Sequence, residues 1–213
     1  MEDVNPMKKI LNILTGSLVC LCAISVYAQE ESSVEPRLID NFEKQGNTFG
    51  GRSSTYMQAP SAVLAVRSEE IFHSDKRSLE LKYKKAAEGG PYGKGGWCGY
   101  YTVIKDGPRK YYDASAYMYL TFWVKGEKGE ENFKIGVADE VWDQREDSMK
   151  SEQIGAYLEA GKITTEWQKA KIPLEDFWVD TKKLASLAIC FESECFPSGG
   201  GKGTIYIDDL QFE

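Results

Sequence analysis

The sequence predicts an all-β fold, an antiparallel sandwich or barrel. After residue 36, short runs alternate apolar with polar residues and are rich in β-branched and aromatic side chains. Clusters of glycine, proline, aspartate and serine separate these runs, and no long stretch has a helical period. About ten such runs, divided by turn signals, are typical of an antiparallel sandwich or barrel.

The predicted strands follow one another along the chain with few other elements between them. Alternation is clearest in four runs, at 79–83, 120–124, 133–138 and 187–191. One short helical turn is expected at 173–177. Further strands are expected at 37–43, 62–67, 97–104, 154–159, 167–172 and 204–213.

Two long loops interrupt this pattern. Residues 86–96, AAEGGPYGKGG, are too rich in glycine for a strand, so we expect them to arch over a rim of the sandwich. Residues 138–153 form a long acidic insertion that contains Trp142. Long loops in compact sandwiches are more often functional or mobile than structural.

The N-terminus predicts export. Residues 7–28 contain two lysines, an apolar run and a Val-Tyr-Ala ending at Ala28, which is the layout of a secretory signal peptide. The apolar run is shorter than the roughly 20 residues that span a bilayer. Because Glu2 and Asp3 precede the lysines, Met7 is an alternative start. We therefore expect a secreted or periplasmic protein with no membrane insertion after cleavage, beginning with a polar leader at residues 29–36.

The remaining residues, 37–213, have the length of one domain with a substantial core. Removing residues 1–28 takes out two acids and two lysines, so the net charge stays at −7. A chain this acidic repels the nucleic-acid backbone and anionic lipid headgroups. Nucleic acid and membrane surfaces are therefore not expected as partners.

Three cysteines follow the predicted signal peptide: Cys98, Cys190 and Cys195. Export permits a disulfide, and Cys190 with Cys195 is the nearest pair in sequence, but an odd count leaves one thiol over. The pairing therefore stays open. None of the three has zinc-ligand spacing with His73, the only histidine.

The C-terminal stretch GTIYIDDLQFE contains a change of phase. Ile205 and Ile207 set one alternation, Leu210 and Phe212 set another, and Asp208 and Asp209 stand between them. A β-bulge at the two acids predicts this change, because one extra residue turns the following side chains to the other face. Asp209 continues the Ile205–Ile207 face, so we expect it to point inward and Asp208 to be solvated.

Several motifs together resemble a known family. They are NFE near residue 41, SLELKY, GWCGYY, LTFWVKG with the following FKIGVAD, TTEWQKAKIPLEDF and the closing YIDDLQF. This order is similar to that of galactose-binding-like jelly rolls, and to family 11 carbohydrate-binding modules in particular. The resemblance covers residues 37–213 and implies an antiparallel β-sandwich of jelly-roll type.

The resemblance also implies a structural calcium ion where the first strand meets the last. The matching acids in this sequence are Asp40, Glu43 and Asp209. Carboxylates on neighbouring strands can supply several of the six to eight oxygens that calcium prefers. The alternative is that the two adjacent acids are surface residues at an edge bulge.

For a ligand, the resemblance implies a concave sheet face that binds sugars. Aromatic rings stack on pyranose faces, and acidic or amide side chains bind the hydroxyls. The sequence leaves open which tyrosine row faces this surface, and most aromatic residues of a sandwich are core or plain surface residues. The candidates are Tyr100 or Tyr101, Asp139, Tyr157 and Glu192, with Trp142 and Trp178 as rim contacts.

We therefore predict a non-catalytic, secreted carbohydrate-binding module whose partner is an oligo- or polysaccharide. The alternative is a cell-envelope module that binds protein or supports structure and has no sugar site. A glycoside hydrolase ranks lowest, because 33 acids make coincidental carboxylate pairs common and no pair is singled out by its spacing.

Overall fold

The computed structural model describes residues 34–213, which form two antiparallel sheets. The signal peptide predicted at residues 1–28, and residues 29–33 of the leader, lie outside the described residues. The strands are β1 (Arg37–Asp40), β2 (Ser53–Met57), β3 (Ala62–Ser68), β4 (Ser78–Lys85), β5 (Cys98–Val103), β6 (Tyr119–Gly126), β7 (Lys134–Asp139), β8 (Met149–Gln153), β9 (Gln168–Pro173), β10 (Leu184–Cys190) and β11 (Gly201–Phe212).

The two sheets stack as the layers of a sandwich. Sheet A has the order β3-β4-β11-β6-β9, with β1 also paired to β11, and sheet B has the order β2-β5-β10-β7-β8. Neighbours in both sheets are antiparallel. Sequence neighbours such as β10 and β11 lie in different sheets, so the chain crosses repeatedly between layers. The predicted antiparallel sandwich is confirmed.

The core fills the space between the sheets with alternate residues of each strand. Leu79 and Leu81 of sheet A are fully buried, as is Val137 of sheet B. Burial of each such side chain stabilises the fold by about 1.5–3 kcal/mol. Their polar neighbours in sequence point to the outer faces, because successive strand residues alternate sides.

Three strand assignments differ from the sequence prediction. β2 was not predicted, and β8 lies inside the stretch predicted as an acidic loop. Both are edge strands of sheet B, and their sequences, SSTYM and MKSEQ, bury little on either face, so they show no apolar alternation. The strand predicted at 154–159 is wrong, because Ile154–Tyr157 form a 3-10 helix.

Helical structure is confined to short segments. The helical turn predicted at 173–177 is confirmed as a 3-10 helix at Leu174–Phe177. The α-helix α1 (Glu140–Gln144) follows β7 directly, and further 3-10 helices occupy Thr181–Lys183 and Ser193–Cys195. Among residues 34–213, no helix has the length and apolarity to cross a bilayer.

The first and last strands lie side by side, as predicted. Arg37 pairs with Phe212, and the β6–β11 register shifts between Asp208 and Gln211, which confirms the predicted bulge. The prediction that Asp209 points inward is wrong. Asp209 adopts a left-handed φ of 49°, and it is Asp208 that is fully buried. Asp208 pairs with Trp123 and points to the outer face of sheet A, where the His73 and Ser74 N–H groups donate to its carboxylate and the loop between β3 and β4 buries it. The left-handed Asp209 then shifts the phase, so that Leu210 and Phe212 return to the core.

Candidate functional site

The outer face of sheet B is built from rows of residues that strand pairing sets side by side. One row contains Tyr101, Ala188, Gly136 and Lys150, from β5, β10, β7 and β8. Directly opposite residues of antiparallel strands share a face. The adjoining row contains Tyr56, Gly99, Cys190 and Lys134. We call the surface formed by these two rows the sheet B face.

Small residues keep the middle of the sheet B face low. Ala188 lies between the ring of Tyr101 and Gly136. A Cβ atom at Gly136 would meet the Ser148 hydroxyl and lie 3.3 Å from the Cys190 sulfur. The centre therefore has no tall side chain, whereas tyrosines rise on the β2–β5 side and Lys150 on the β8 side.

One end of the sheet B face carries an aromatic ring and a carboxylate on neighbouring strands. Ile189 pairs with Tyr100 and Cys190 with Gly99, and the Phe191 N–H donates to the Cys98 carbonyl over 3.1 Å. Continuing this register sets Trp97 directly opposite Glu192, on the same face. Trp97 remains 41% exposed. An exposed ring beside a carboxylate offers both an apolar surface and hydrogen-bond acceptors.

Burial raises the pKa values of three groups at this end of the face, beside ion pairs of Lys150 and of Lys134, whose Nζ lies 3.2 Å from the Glu194 carboxylate. Burial raises the pKa of the Tyr56 hydroxyl well above its ordinary value, and it raises the pKa of the Cys190 thiol to about 12. Burial also raises the pKa of Glu192. Lys150 Nζ lies 2.9 Å from the Asp147 carboxylate and 4.0 Å from that of Glu192. With this raised pKa, the Cys190 thiol is protonated and unreactive at neutral pH.

The three cysteines among residues 34–213 do not form a disulfide in this structure. Cys98, Cys190 and Cys195 are all buried free thiols. The pair nearest in sequence, Cys190 and Cys195, is separated by the start of a 3-10 helix. Cys190 instead contributes to the floor of the sheet B face.

The other end of the sheet B face is bounded by α1. Lys105, two residues beyond β5 and on the parity of Tyr101, forms an ion pair with Asp143 of α1. The Tyr111 hydroxyl lies 3.3 Å from the same carboxylate. These contacts tie α1 to the end of β5, across the intervening β10. Trp142, half-buried on α1, packs with the Arg145 guanidinium 5.2 Å above its ring.

The structure places the predicted ligand residues in different environments. Tyr101 and Glu192 lie on the sheet B face, and Trp142 lies on the helix at its end. Tyr100 is only 4% exposed and belongs to the core. Tyr101 is therefore the tyrosine that lies on the outer face, since adjacent strand residues point to opposite faces.

The remaining predicted ligand residues are engaged in local structure or lie apart. Asp139 caps α1, accepting from the backbone N–H groups of Val141 and Trp142, and its second oxygen accepts from the Asp180 backbone N–H. The Tyr157 hydroxyl lies 3.1 Å from the Asp176 carboxylate, at the β8 edge. Trp178 ends a 3-10 helix and is 85% exposed.

Sequence reasoning missed two residues of this face, Trp97 and Tyr56. Trp97 shares parity with Tyr101, which was a visible signal, but its position opposite Glu192 depends on pairing across 95 residues. Tyr56 lies in the unpredicted strand β2.

The three predicted calcium ligands are already engaged with protein groups. Glu43 accepts from the Lys76 and Arg77 N–H groups, and Asp209 contacts His73 Nδ1 at 3.2 Å and the Ser74 hydroxyl at 2.7 Å. Only Asp40 has a buried oxygen without a hydrogen-bond partner, 3.8 Å from Arg67. Within residues 34–213, no three His, Cys, Asp or Glu side chains are arranged to hold a metal ion. The side chains as placed do not assemble the expected calcium site, and calcium stays a prediction.

The fold is similar to solved carbohydrate-binding modules. A family 11 module of a cellulosomal cellulase from Clostridium thermocellum superposes with a TM-score of 0.59 at 14% identity, covering 85% of this chain and 95% of that one. A family 11 module from the same organism, in complex with a β-1,3-1,4-mixed-linked tetrasaccharide, has a TM-score of 0.58 at 14% identity, with 85% and 96% coverage. At these identities the similarity concerns the fold alone.

A second module family is also similar in structure. The family 30 module of another cellulosomal cellulase of Clostridium thermocellum has a TM-score of 0.52 at 19% identity, covering 84% of this chain and 92% of that one. These neighbours confirm the predicted jelly-roll sandwich. A search of curated proteins finds none that matches the chain.

The family comparison covers most of the sequence. The carbohydrate binding domain 30 family matches residues 39–213. The resemblance to carbohydrate-binding modules is thereby confirmed, with family 30 as the matching family beside the family 11 structures. The chain belongs to the carbohydrate binding domain 30 family and is a non-catalytic carbohydrate-binding module.

Proposed function

We propose that the sheet B face is the carbohydrate-binding site and that it holds a single glycan chain. The observation that carries this proposal is the position of Trp97 opposite Glu192, with Tyr101 on the same face. The rings of Trp97 and Tyr101 stack on pyranose faces, while Glu192 accepts hydrogen bonds from sugar hydroxyls.

The glycan runs along strand β5 rather than across the sheet. Trp97 and Tyr101 are four residues apart on this line, which is about 13 Å in an extended strand, so several sugar units can lie between and over the two rings. At the far end, α1 bounds this path through the ion pair of Lys105 with Asp143.

A β-glucan is the ligand class we propose. The support is the family 11 neighbour that was solved with a β-1,3-1,4-mixed-linked tetrasaccharide. A secreted or periplasmic location, through the signal peptide predicted at residues 1–28, would bring the module to such polymers. The free energy gained from a few ring stacks is partly offset by ordering the chain, so we expect weak binding.

The test is calorimetric titration of the protein with soluble mixed-linked β-1,3-1,4-glucan. We expect Tyr101→Ala and Glu192→Gln to lower the affinity by about tenfold each. Phe72→Ala is the matched control, because Phe72 is an aromatic residue, 39% exposed, on the loop that follows β3 of sheet A. Equal affinities for all three variants would contradict the proposal.

A glycan array distinguishes this function from the alternative. Binding to one or more β-glucans supports the proposed site. If well-folded protein binds no glycan, the sheet B face is better explained as a protein-interaction surface of the cell envelope.

A further inference from the structure

We infer that loop 86–96 carries a second stacking subsite, in which Tyr92 extends the aromatic surface of Trp97 and the buried Lys85 positions the loop. This inference rests on the proposed function, because the subsite would hold a further unit of the same glycan chain. It adds one ligand contact, Tyr92, and one positioning residue, Lys85.

The two rings form one bent surface at the end of the sheet B face. Their centroids are 6.3 Å apart and their planes are tilted by 30°. Tyr92 is 79% exposed, so its ring contributes little to the core. The Gln58 N–H donates to the Trp97 carbonyl at 2.8 Å, which keeps Trp97 in line with strand β2. A chain that stacks on Trp97 therefore meets Tyr92 next as it passes the rim.

Lys85 anchors both ends of loop 86–96 through hydrogen bonds to backbone carbonyls. This lysine is buried, and its ammonium group donates to the carbonyls of Ala86 at 2.8 Å and Lys94 at 2.7 Å. Burying an ammonium group is costly unless it is hydrogen-bonded, so a lysine here is a specific anchor rather than a space filler. The Ser61 hydroxyl adds a second anchor by donating to the Gly95 carbonyl.

Glycine allows the loop to lie close to its neighbours. Gly96 has a φ of 69°, and a Cβ atom there would collide with the Gln58 carbonyl. Gly95 has a φ of 80°, and its N–H donates to the Gly89 carbonyl at 2.8 Å. These contacts hold the Gly95–Gly96 end of the loop against the segment that follows β2, which places the loop beside Trp97.

The loop is also joined to the carboxylate side of the site. The Ser193 hydroxyl lies 3.5 Å from the Lys94 carbonyl, and Ser193 follows Glu192 directly. The same carbonyl that accepts from Lys85 therefore faces the segment that carries Glu192. This continuity with the proposed site identifies the occupant of the aromatic surface as a sugar ring of the bound chain.

The tilt between the rings also selects the form of the ligand. A flat crystalline polysaccharide surface needs coplanar rings, whereas two rings inclined by 30° follow a single chain that twists. We therefore assign the subsite to soluble single chains of the β-glucan class rather than to crystalline surfaces.

The experiment compares variants on two probes, a mixed-linked β-glucan tetrasaccharide and the soluble polymer. Tyr92→Ala should weaken polymer binding about fivefold, equivalent to about 1 kcal/mol of lost stacking, with a smaller effect on the tetrasaccharide. Tyr92→Phe keeps the ring and should bind like the unaltered protein. Lys85→Met should weaken polymer binding in the same direction by loosening the loop.

Several outcomes would overturn the inference. If Tyr101→Ala loses affinity while Tyr92→Ala binds as Phe72→Ala does, the proposed site stands and the subsite does not. If neither the unaltered protein nor any variant binds β-glucan, the proposed function itself fails, and the subsite fails with it. Retention of the unaltered protein on microcrystalline cellulose in a pull-down would overturn the assignment to single chains. Because Tyr92 is largely exposed, its variants test the inference even if Lys85→Met does not fold.

Discussion

The outer faces of the two sheets differ in what covers them. On sheet A, the loop between β3 and β4 lies over the strands: His73 stacks on Trp123 at 3.9 Å, and Asp208 is buried beneath it, accepting from the His73 and Ser74 N–H groups. On sheet B, the middle of the face consists of small residues such as Ala188 and Gly136, with tall side chains only at its margins.

This difference separates an aromatic residue that supports the fold from one that is free to bind. Trp123 and Trp97 both point outward from a sheet, yet Trp123 is partly covered by the protein's own loop. Trp97 keeps an open face. The availability of an outer face is thus decided by where the connecting segments run, since alternation places side chains on both faces in the same way.

The largest expected effect comes from filling the centre of the sheet B face. Ala188→Trp should lower β-glucan affinity by about 100-fold, equivalent to about 2.7 kcal/mol, because the indole would occupy the path of the chain. Ala188 is half-buried on an outer face, so the fold should tolerate the larger side chain. Calorimetric titration measures the loss.

Leu64→Trp is the matched control for this substitution. Leu64 is 58% exposed on the outer face of sheet A, so a tryptophan there should leave affinity unchanged. Loss of binding in both variants would mean that sheet A takes part in recognition.

The two exposed-face tryptophans should have opposite effects. Trp97→Ala should lower affinity about tenfold with an unchanged melting temperature. Trp123→Ala should lower the free energy of unfolding by about 2 kcal/mol, through loss of packing against His73, and leave affinity unchanged. Titration and thermal melting of both variants test this pair, and the reverse pattern would invert our assignment of the faces.

A smaller effect concerns pH and the two acids buried near the first and last strands. Burial raises the pKa values of Asp40 and Asp208 from 3.8 to about 6. In the folded protein these groups hold their protons at higher pH than in the unfolded chain. Their contribution to stability is therefore present below pH 4 and is lost as the pH rises through about 6.

Asp40→Asn tests this pH dependence of stability, in buffer containing EDTA. The variant and the unaltered protein should be similar in stability near pH 4, and the variant should be the more stable by about 1–3 kcal/mol at pH 7, since it removes a buried charge. Thermal melting from pH 4 to 7 measures the difference. Parallel curves would show that the Arg67 guanidinium compensates the Asp40 charge fully.

The smallest expected effect is that of calcium. If calcium binds Asp40, Glu43 and Asp209, EDTA should lower the melting temperature by a few degrees and calcium should restore it, because a ligand that binds only the folded state stabilises it. Asp209→Ala should remove the EDTA sensitivity. An unchanged melting curve under both conditions would remove calcium from the description of this protein.

Most strands were predictable from sequence, and the two strands that were missed have a common cause. Strands with one buried face, such as β4 and β6, alternate visibly because burial demands an apolar residue at every second position. Edge strands β2 and β8 bury little, so their sequences are not constrained in this way. Of the site, the sequence indicated Tyr101 and Glu192 among its candidates but also Tyr100, which belongs to the core.

The sequence by itself determined the sandwich and the bulge at Asp208 and Asp209, because these follow from local alternation, and the resemblance to jelly-roll modules implied the pairing of the first and last strands. Only the tertiary structure decided that Asp208 is the buried acid, that Trp97 lies opposite Glu192 and that sheet B has the open face. The physical reason is that a residue's neighbours across a sheet, and the loops that cover it, come from distant parts of the chain. Strand periodicity specifies which residues share a face, whereas tertiary packing decides which segments cover that face.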